Sequence, residues 1–429
     1  MTANKKKIIN DPVYGFIKIS SSGHFDIIEH PYFQRLRRIK QLGLTSFVYP
    51  GATHTRFQHA LGSYHLMGMA IQVLRSKGII ISQEEEEAAM AAILLHDIGH
   101  GPFSHALEES IIDDLNHEDL SLLFIHAINE EFKGSLDLAI EIFTGRYHKK
   151  FLHQLISGQL DMDRLDYLKR DSFFTGVTEG VIGSDRIVRM LNVVDDELVI
   201  DYKGIYSIEK FLIARRLMYW QVYLHKTVLS SEILLLNLLK RAKQLAMDGH
   251  ELFSTPALGR FLNRSVSRKD FFGNDNSAQG ILKITPACKE NLDAFARLDD
   301  NDIIASAKVW SDHSDKVLSF LSGNLVNRTL YKIEMSNEEF TSEYIGNIRK
   351  RVIDLYDINE KDLDYLVYTG SISNNAYRSE DEQIKILYHG GILKDITEAS
   401  DMLDVSVLSK TVKKYFLCYP KEAMGNGSI

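Results

Sequence analysis

Residues 82–97, SQEEEEAAMAAILLHD, hold the feature that most limits how this chain can fold. Ser82, with Glu85 three places on, has capping-box form, and the alanine- and leucine-rich run behind it consists of strong helix formers. Gly99, Gly101 and Pro102 then stop the helix. His96 and Asp97 fall at its last turn, and His100 and His105 follow in GHGPFSH. An otherwise apolar helix thus ends in polar groups that are costly to bury without partners.

The C-terminal end of a helix carries partial negative charge, so an ionised Asp97 there is disfavoured by roughly 0.3–1 kcal/mol. A bound cation reverses that sign. Imidazole nitrogen together with carboxylate oxygen suits a first-row divalent ion, whereas all-oxygen sites suit calcium. Neighbouring helical residues point about 100° apart, so His96 and Asp97 reach one ion only near the helix end, with further ligands arriving from elsewhere.

The histidines mark where to search. Ten of the sixteen fall between residues 24 and 126. Upstream, PGATHTRFQHALGSYH sets spare polar groups inside an apolar helical pattern, and SGQLDMDRLDYLKRD does the same downstream.

Elsewhere the periodicity is mostly helical to about residue 250, including the long apolar stretch from Ser207 to Ala246, which reads as central. ELVIDYKGIYSI suggests a small hairpin, and GNDNSAQG at 273–280 is the best linker. Beyond it come helices near 300–325 and strand-like LYKIEM, DYLVYTG and QIKILYHGG. The expected division is a helical core over residues 1–272 and a smaller α+β lobe over 281–429, mainly α overall. A net charge of −8 supplies no global cationic field and argues against nucleic acid as a partner. Two cysteines, Cys288 and Cys418, exclude a disulfide framework and a thiolate metal cluster. No apolar run has membrane-spanning length, so no membrane partner is expected and the reading is cytoplasmic.

Taken together, RFQHALG, HDIGHGPFSH, NHEDL and DMDRLDY resemble the HD-domain phosphohydrolases, and most closely their deoxynucleoside triphosphate triphosphohydrolase branch. The resemblance runs from INDPVYG to about residue 245 and weakens beyond. It implies an HD-domain helical core and metal-dependent hydrolysis of deoxynucleoside triphosphates to deoxynucleoside and triphosphate. The other readings are an HD phosphohydrolase acting on nucleoside monophosphates or another phosphate ester, and a noncatalytic nucleotide-sensing scaffold.

Carried over by position, His59, His96, Asp97 and Asp163 match the metal ligands, with Asp161 the competitor for the fourth place. The ion could be manganese, iron, zinc, nickel or magnesium. His100, His105 and His117, the last supported by Glu108, match the groups that move protons and stabilise charge around the phosphate. Arg56, Arg164 and Arg215 match phosphate contacts, Tyr167 and Asp171 face the sugar, and Gln41, Leu42 and Tyr223 form the wall against a 2′-hydroxyl. His54, His65 and His126 are left structural.

The resemblance also implies a nucleotide effector at a subunit interface in a homo-oligomer, a dimer or tetramer. Lys7, Ile8, Asn10, Gln34 and Arg37 fit such a site. Glu29 departs from it, standing where guanine-reading members carry Asp, and its added methylene shifts the acceptor by more than about 1 Å.

Overall fold

The computed structural model describes residues 7–103, 106–107, 110–112, 114–272, 284–374, 377, 383–401 and 411–424. His105, Glu108 and the linker at 273–280 lie outside them. The fold is mainly α, with small sheets, as the sequence implies.

Local capping sets three helices whose polar ends converge. The first, Arg56–Ser76, starts at Thr55, whose backbone N–H donates to Gln58 Oε1 at 2.9 Å. The second, Gln83–Leu95, starts with the expected box: Glu85 N–H donates to Ser82 Oγ at 3.1 Å and Ser82 N–H donates to Glu85 Oε2 at 2.8 Å. The third, Met162–Thr175, is capped by Asp161 and ends at Gly176, whose φ of 75° lies in the left-handed region that glycine enters freely. Arg56–Ser76 lies between the other two and packs on both. Ile93, Leu94 and Leu95 are completely buried, each contributing about 1.5–3 kcal/mol of apolar burial.

The long apolar stretch is not one helix. It runs as Ile205–Met218, a π turn over Tyr219–Tyr223, and a new helix Lys226–Met247 bent 55° from the first. His225 causes the restart, since its Nδ1 accepts from Thr227 N–H at 3.1 Å and so caps the second helix. Among the described residues no single helix is long and apolar enough to cross a membrane.

The hairpin expected over ELVIDYKGIYSI is displaced toward the N-terminus. Glu197–Asp201 pairs back with Leu191–Val194 through Asp195 and Asp196, whose φ values of 52° and 59° suit a type I′ turn. Aspartate tolerates that region better than most residues. Gly204, which looks like a turn former, instead permits close packing: a Cβ there would lie 2.6 Å from Ile200 Cγ2. IYSI begins the Ile205 helix.

Past residue 284, helices Asp300–Trp310 and Lys316–Val326 and strands Lys332–Ser336 and Lys385–Leu387 occupy the expected segments. The DYLVYTG strand begins only at Tyr368, because Glu360–Tyr365 form a 3-10 turn. Val412–Tyr419 is the middle strand between Lys332–Ser336 and Tyr368–Asn374, antiparallel to both. Lys385–Leu387 pairs parallel with Glu197–Asp201, joining chain from either side of the linker in one sheet. Lys40 N–H donates to Asp300 Oδ2 at 3.0 Å, and Ser230 Oγ donates to the Tyr331 carbonyl at 2.9 Å.

Ser82→Ala removes one half of the capping box and is expected to cost about 1 kcal/mol of stability, measured by denaturant unfolding.

Candidate metal centre

The site forms where two helix N-termini meet one helix C-terminus. His59 lies in the first turn of Arg56–Ser76, His96 is the C-terminal cap of Gln83–Leu95, and Asp163 lies in the first turn of Met162–Thr175. One donor atom from each lies within 4.8 Å of the other two. His59 Nε2 stands 3.3 Å from His96 Nε2 and 3.0 Å from Asp163 Oδ1, and His96 Nε2 is 3.5 Å from the same oxygen.

Both rings are held in a defined tautomer. His96 Nδ1 donates to the Ile93 carbonyl at 2.7 Å, and His59 Nδ1 donates to Asp166 Oδ2 at 2.8 Å. In the neutral rings each Nε2 therefore presents a lone pair to the same small volume, beside a carboxylate. Burial opposes charge on His59, but hydrogen bonds and the charges of Asp163 and Asp166 outweigh it and push its pKa up to about 10. Burial likewise opposes charge on Asp163, yet the two histidines hold its carboxyl far below the usual range. The pocket demands a positive charge, which a proton or a metal ion supplies, and metal binding there must release protons. Nitrogen and oxygen donors with fixed outer partners fit a divalent ion.

Asp97 sits beside these three. Its Oδ1 is 3.4 Å from His96 Nε2 and 3.3 Å from His100 Nε2, and its Oδ2 is 3.7 Å from His59 Nε2. Arg56 Nη1 donates to Oδ2 at 2.6 Å. Asp161, the competitor for the fourth place, is turned away: its carboxylate accepts from the Arg164 and Gly158 N–H groups and pairs with the Arg164 side chain.

The loop after His96 is clamped to the helix His117–Glu131. Ser121 Oγ donates to the His96 carbonyl at 2.8 Å and accepts from Gly99 N–H at 2.9 Å. A Cβ on Gly99 would overlap the backbone of His117 and Ser121, so only glycine allows this approach. In consequence His100 and His117 stack, with ring centroids 3.9 Å apart. Burial, then Arg56, lowers the pKa of His100 well below that of free imidazole. Arg35, fully buried, supports the loop by donating to the carbonyls of Ile98 and His100 at 2.8 and 2.7 Å.

A cleft of about 290 Å³ borders the cluster at Arg56. Gln41, Leu42, Phe103, Tyr219 and Tyr223 line it. Tyr223 Oη donates to Asp171 Oδ2 at 2.8 Å, while Asp171 Oδ1 lies 2.7 Å from His54 Nε2. Tyr167 meets Tyr223 edge to face, with centroids 6.1 Å apart. Arg215 lies in the last turn of Ile205–Met218, just before the π turn that carries Tyr219 and Tyr223.

The residues expected for an effector lie on the N-terminal strand, on the Ser22–Glu29 helix and in the turns that follow it. Lys7, Ile8 and Asn10 lie on strand Lys7–Asp11, and Lys7 Nζ sits 3.0 Å over the Phe25 ring. Glu29 ends the helix Ser22–Glu29. Gln34 donates to the Ile28 carbonyl and accepts from Arg37 Nε at 2.8 Å, and Arg37 covers Phe57. Asp166, Arg170 and Arg35 carry no sequence signal, and His54, left structural on sequence, here meets Asp171 beside the cleft. No spacing pattern signals His54, whose partner is 117 residues away.

Asp163→Ala is expected to abolish metal uptake, whereas Asp161→Asn keeps the full complement and loses stability instead. Elemental analysis of the two purified variants, with thermal unfolding, checks both.

Comparison with known proteins identifies the family. Residues 56–171 match the HD domain and residues 182–254 match the HD associated region. The uncharacterized protein YwfO of Bacillus subtilis is 31% identical over 99% of this chain and 94% of its own length. The deoxynucleoside triphosphate triphosphohydrolase SAMHD1 homolog of Dictyostelium discoideum is 33% identical over 57% of this chain, which spans about half (51%) of that protein. Human SAMHD1, also named a deoxynucleoside triphosphate triphosphohydrolase, is 33% identical over 45% of this chain and 37% of its own. A crystal structure of a phosphohydrolase from Bacteroides thetaiotaomicron superposes with a TM-score of 0.91 at 54% identity, covering 97% of this chain and all of that one. With the HD domain matched over residues 56–171, the HD associated region after it, and a relative aligned over nearly its whole length, the chain belongs to the HD-domain phosphohydrolases.

Proposed function

We propose that this enzyme hydrolyses deoxynucleoside triphosphates to deoxynucleoside and inorganic triphosphate. The observation that carries this reading is the joining of two features through Arg56, which lines the cleft and binds Asp97 beside the His59–His96–Asp163 cluster. A nucleotide in the cleft therefore presents its phosphates to the cluster and its sugar to the tyrosine wall. The names of the SAMHD1 relatives support the same substrate class.

His59, His96, Asp97 and Asp163 would hold a divalent cation, which would supply Lewis acidity toward the phosphate and the attacking water. Arg56 balances Asp97 and adds positive charge at the cleft without any global excess. The stacked His100 and His117 are the described groups placed to accept or deliver a proton beside the cluster, while His105 and Glu108 complete the proposed set outside the described residues. On the sugar side, Asp171 is fixed by His54 and Tyr223, an acceptor aimed by two donors. Arg164, Arg215 and Tyr167 are the further substrate contacts in this reading. Gln41, Leu42 and Tyr223 exclude a 2′-hydroxyl by leaving it without room or a partner. Lys7, Ile8, Asn10, Glu29, Gln34 and Arg37 are the corresponding proposal for a nucleotide effector, bound between subunits of a homo-oligomer.

Product analysis tests the reaction. Each of the four dNTPs, incubated with protein and manganese, is expected to give deoxynucleoside and triphosphate in equal amounts; orthophosphate as the main product contradicts the proposal and supports a phosphomonoesterase. Tyr223→Ala is expected to lower the deoxy-to-ribo ratio of kcat/KM about tenfold, or roughly 1.4 kcal/mol of discrimination. An unchanged ratio removes Tyr223 from the wall.

A further inference from the structure

The N-terminal hairpin, strands Lys7–Asp11 and Gly15–Ile19, reaches the metal cluster through a buried row of charges. Asp11 Oδ1 accepts from the N–H groups of Val13 and Tyr14 at 2.9 and 3.0 Å and so closes the hairpin turn. The same carboxylate takes Arg170 from the other side, with Oδ2 at 2.7 Å from Nη1 and Oδ1 at 3.3 Å from Nη2. Arg170, completely buried, then grips Asp166 with Nε to Oδ2 at 2.9 Å and Nη2 to Oδ1 at 3.0 Å. Asp166 Oδ2 accepts from His59 Nδ1.

Space has been left for this row. Gly62 on the Arg56–Ser76 helix faces it, and a Cβ there would overlap Asp166 Oδ1 and Arg170 Nη2. A glycine inside a helix costs about 1 kcal/mol relative to alanine, so its presence here points to the row as the reason. Tyr14, from the same turn, covers the Arg170 guanidinium at 5.7 Å.

We propose that Asp11 is a positioning residue for His59, acting through Arg170 and Asp166, so that folding of the hairpin and metal occupancy are linked. This rests on the metal reading above. Arg170 held at both ends of its fork cannot rotate, and Asp166 held at both oxygens keeps the His59 ring in the orientation that sends Nε2 toward Asp163. Freed from Asp11, the guanidinium is a buried charge with one partner fewer, and it draws Asp166 out of line. By linkage, the factor by which the ordered hairpin tightens metal binding is the factor by which a bound metal ion stabilises the hairpin.

Asp11→Asn separates the two duties of this side chain. The amide oxygen still accepts from Val13 and Tyr14, but an NH2 group now confronts Arg170. Manganese titration of the metal-stripped full chain by calorimetry is expected to show about tenfold weaker binding, at the low end of outer-partner effects because Asp11 is two links removed. Backbone amide exchange over residues 7–19 is expected to slow when manganese is added to the wild type, and that slowing disappears in the variant. The wild-type comparison stands even if the variant does not fold. A variant that binds manganese with wild-type affinity, or hairpin amides that exchange equally with and without the ion in the wild type, overturns the proposal while leaving the metal site intact. Failure of the wild type to bind manganese at all overturns the metal reading as well.

Discussion

Two imidazole nitrogens, His59 Nε2 and His96 Nε2, face each other at 3.3 Å, and the rest of the site is arranged to keep them so. Left neutral and empty, that pair is repulsive. Asp163 Oδ1 adds negative charge to the same volume, so the three together favour a positive charge among them, carried by a proton or a metal ion. The supporting structure follows from this demand. The Ile93 carbonyl and the Asp166 carboxylate fix the tautomers. Asp161 starts the third helix two residues before Asp163 and thereby aims it.

Chemistry needs room beside charge, and the bent apolar stretch provides it. Had residues 205–247 continued straight, Tyr219 and Tyr223 would share one regular helix with their neighbours. The π turn and the His225 cap instead place both on the lining of the cleft, with Gln41 and Leu42. The chain beyond the linker braces the same wall, since Asp300 holds the backbone of Lys40, next to Gln41.

What the sequence discloses divides along physical lines. Interactions between near neighbours are legible: Ser82 with Glu85, the glycines that stop the Gln83–Leu95 helix, and the donor residues His59, His96 and Asp163, which carry recognisable motifs. Interactions whose partners are distant leave no local trace. His54 reads as structural because Asp171 cannot be foreseen beside it, and Asp11 sits unnoticed among Lys7, Ile8 and Asn10 although its carboxylate pairs with the buried Arg170. The hairpin lies N-terminal to the expected segment because its turn is made by Asp195 and Asp196, which precede ELVIDYKGIYSI and its turn-like Gly204. The motif favours Asp163 over Asp161, and the cap adds the physical reason, since Asp161 is tied to the Arg164 and Gly158 N–H groups.

Anomalous diffraction from crystals soaked in manganese tests the central claim most directly. The account predicts one strong peak between His59 Nε2, His96 Nε2 and Asp163 Oδ1, with Asp97 beside it. A well-ordered map with no peak there, or with the four side chains turned away from one another, would contradict it.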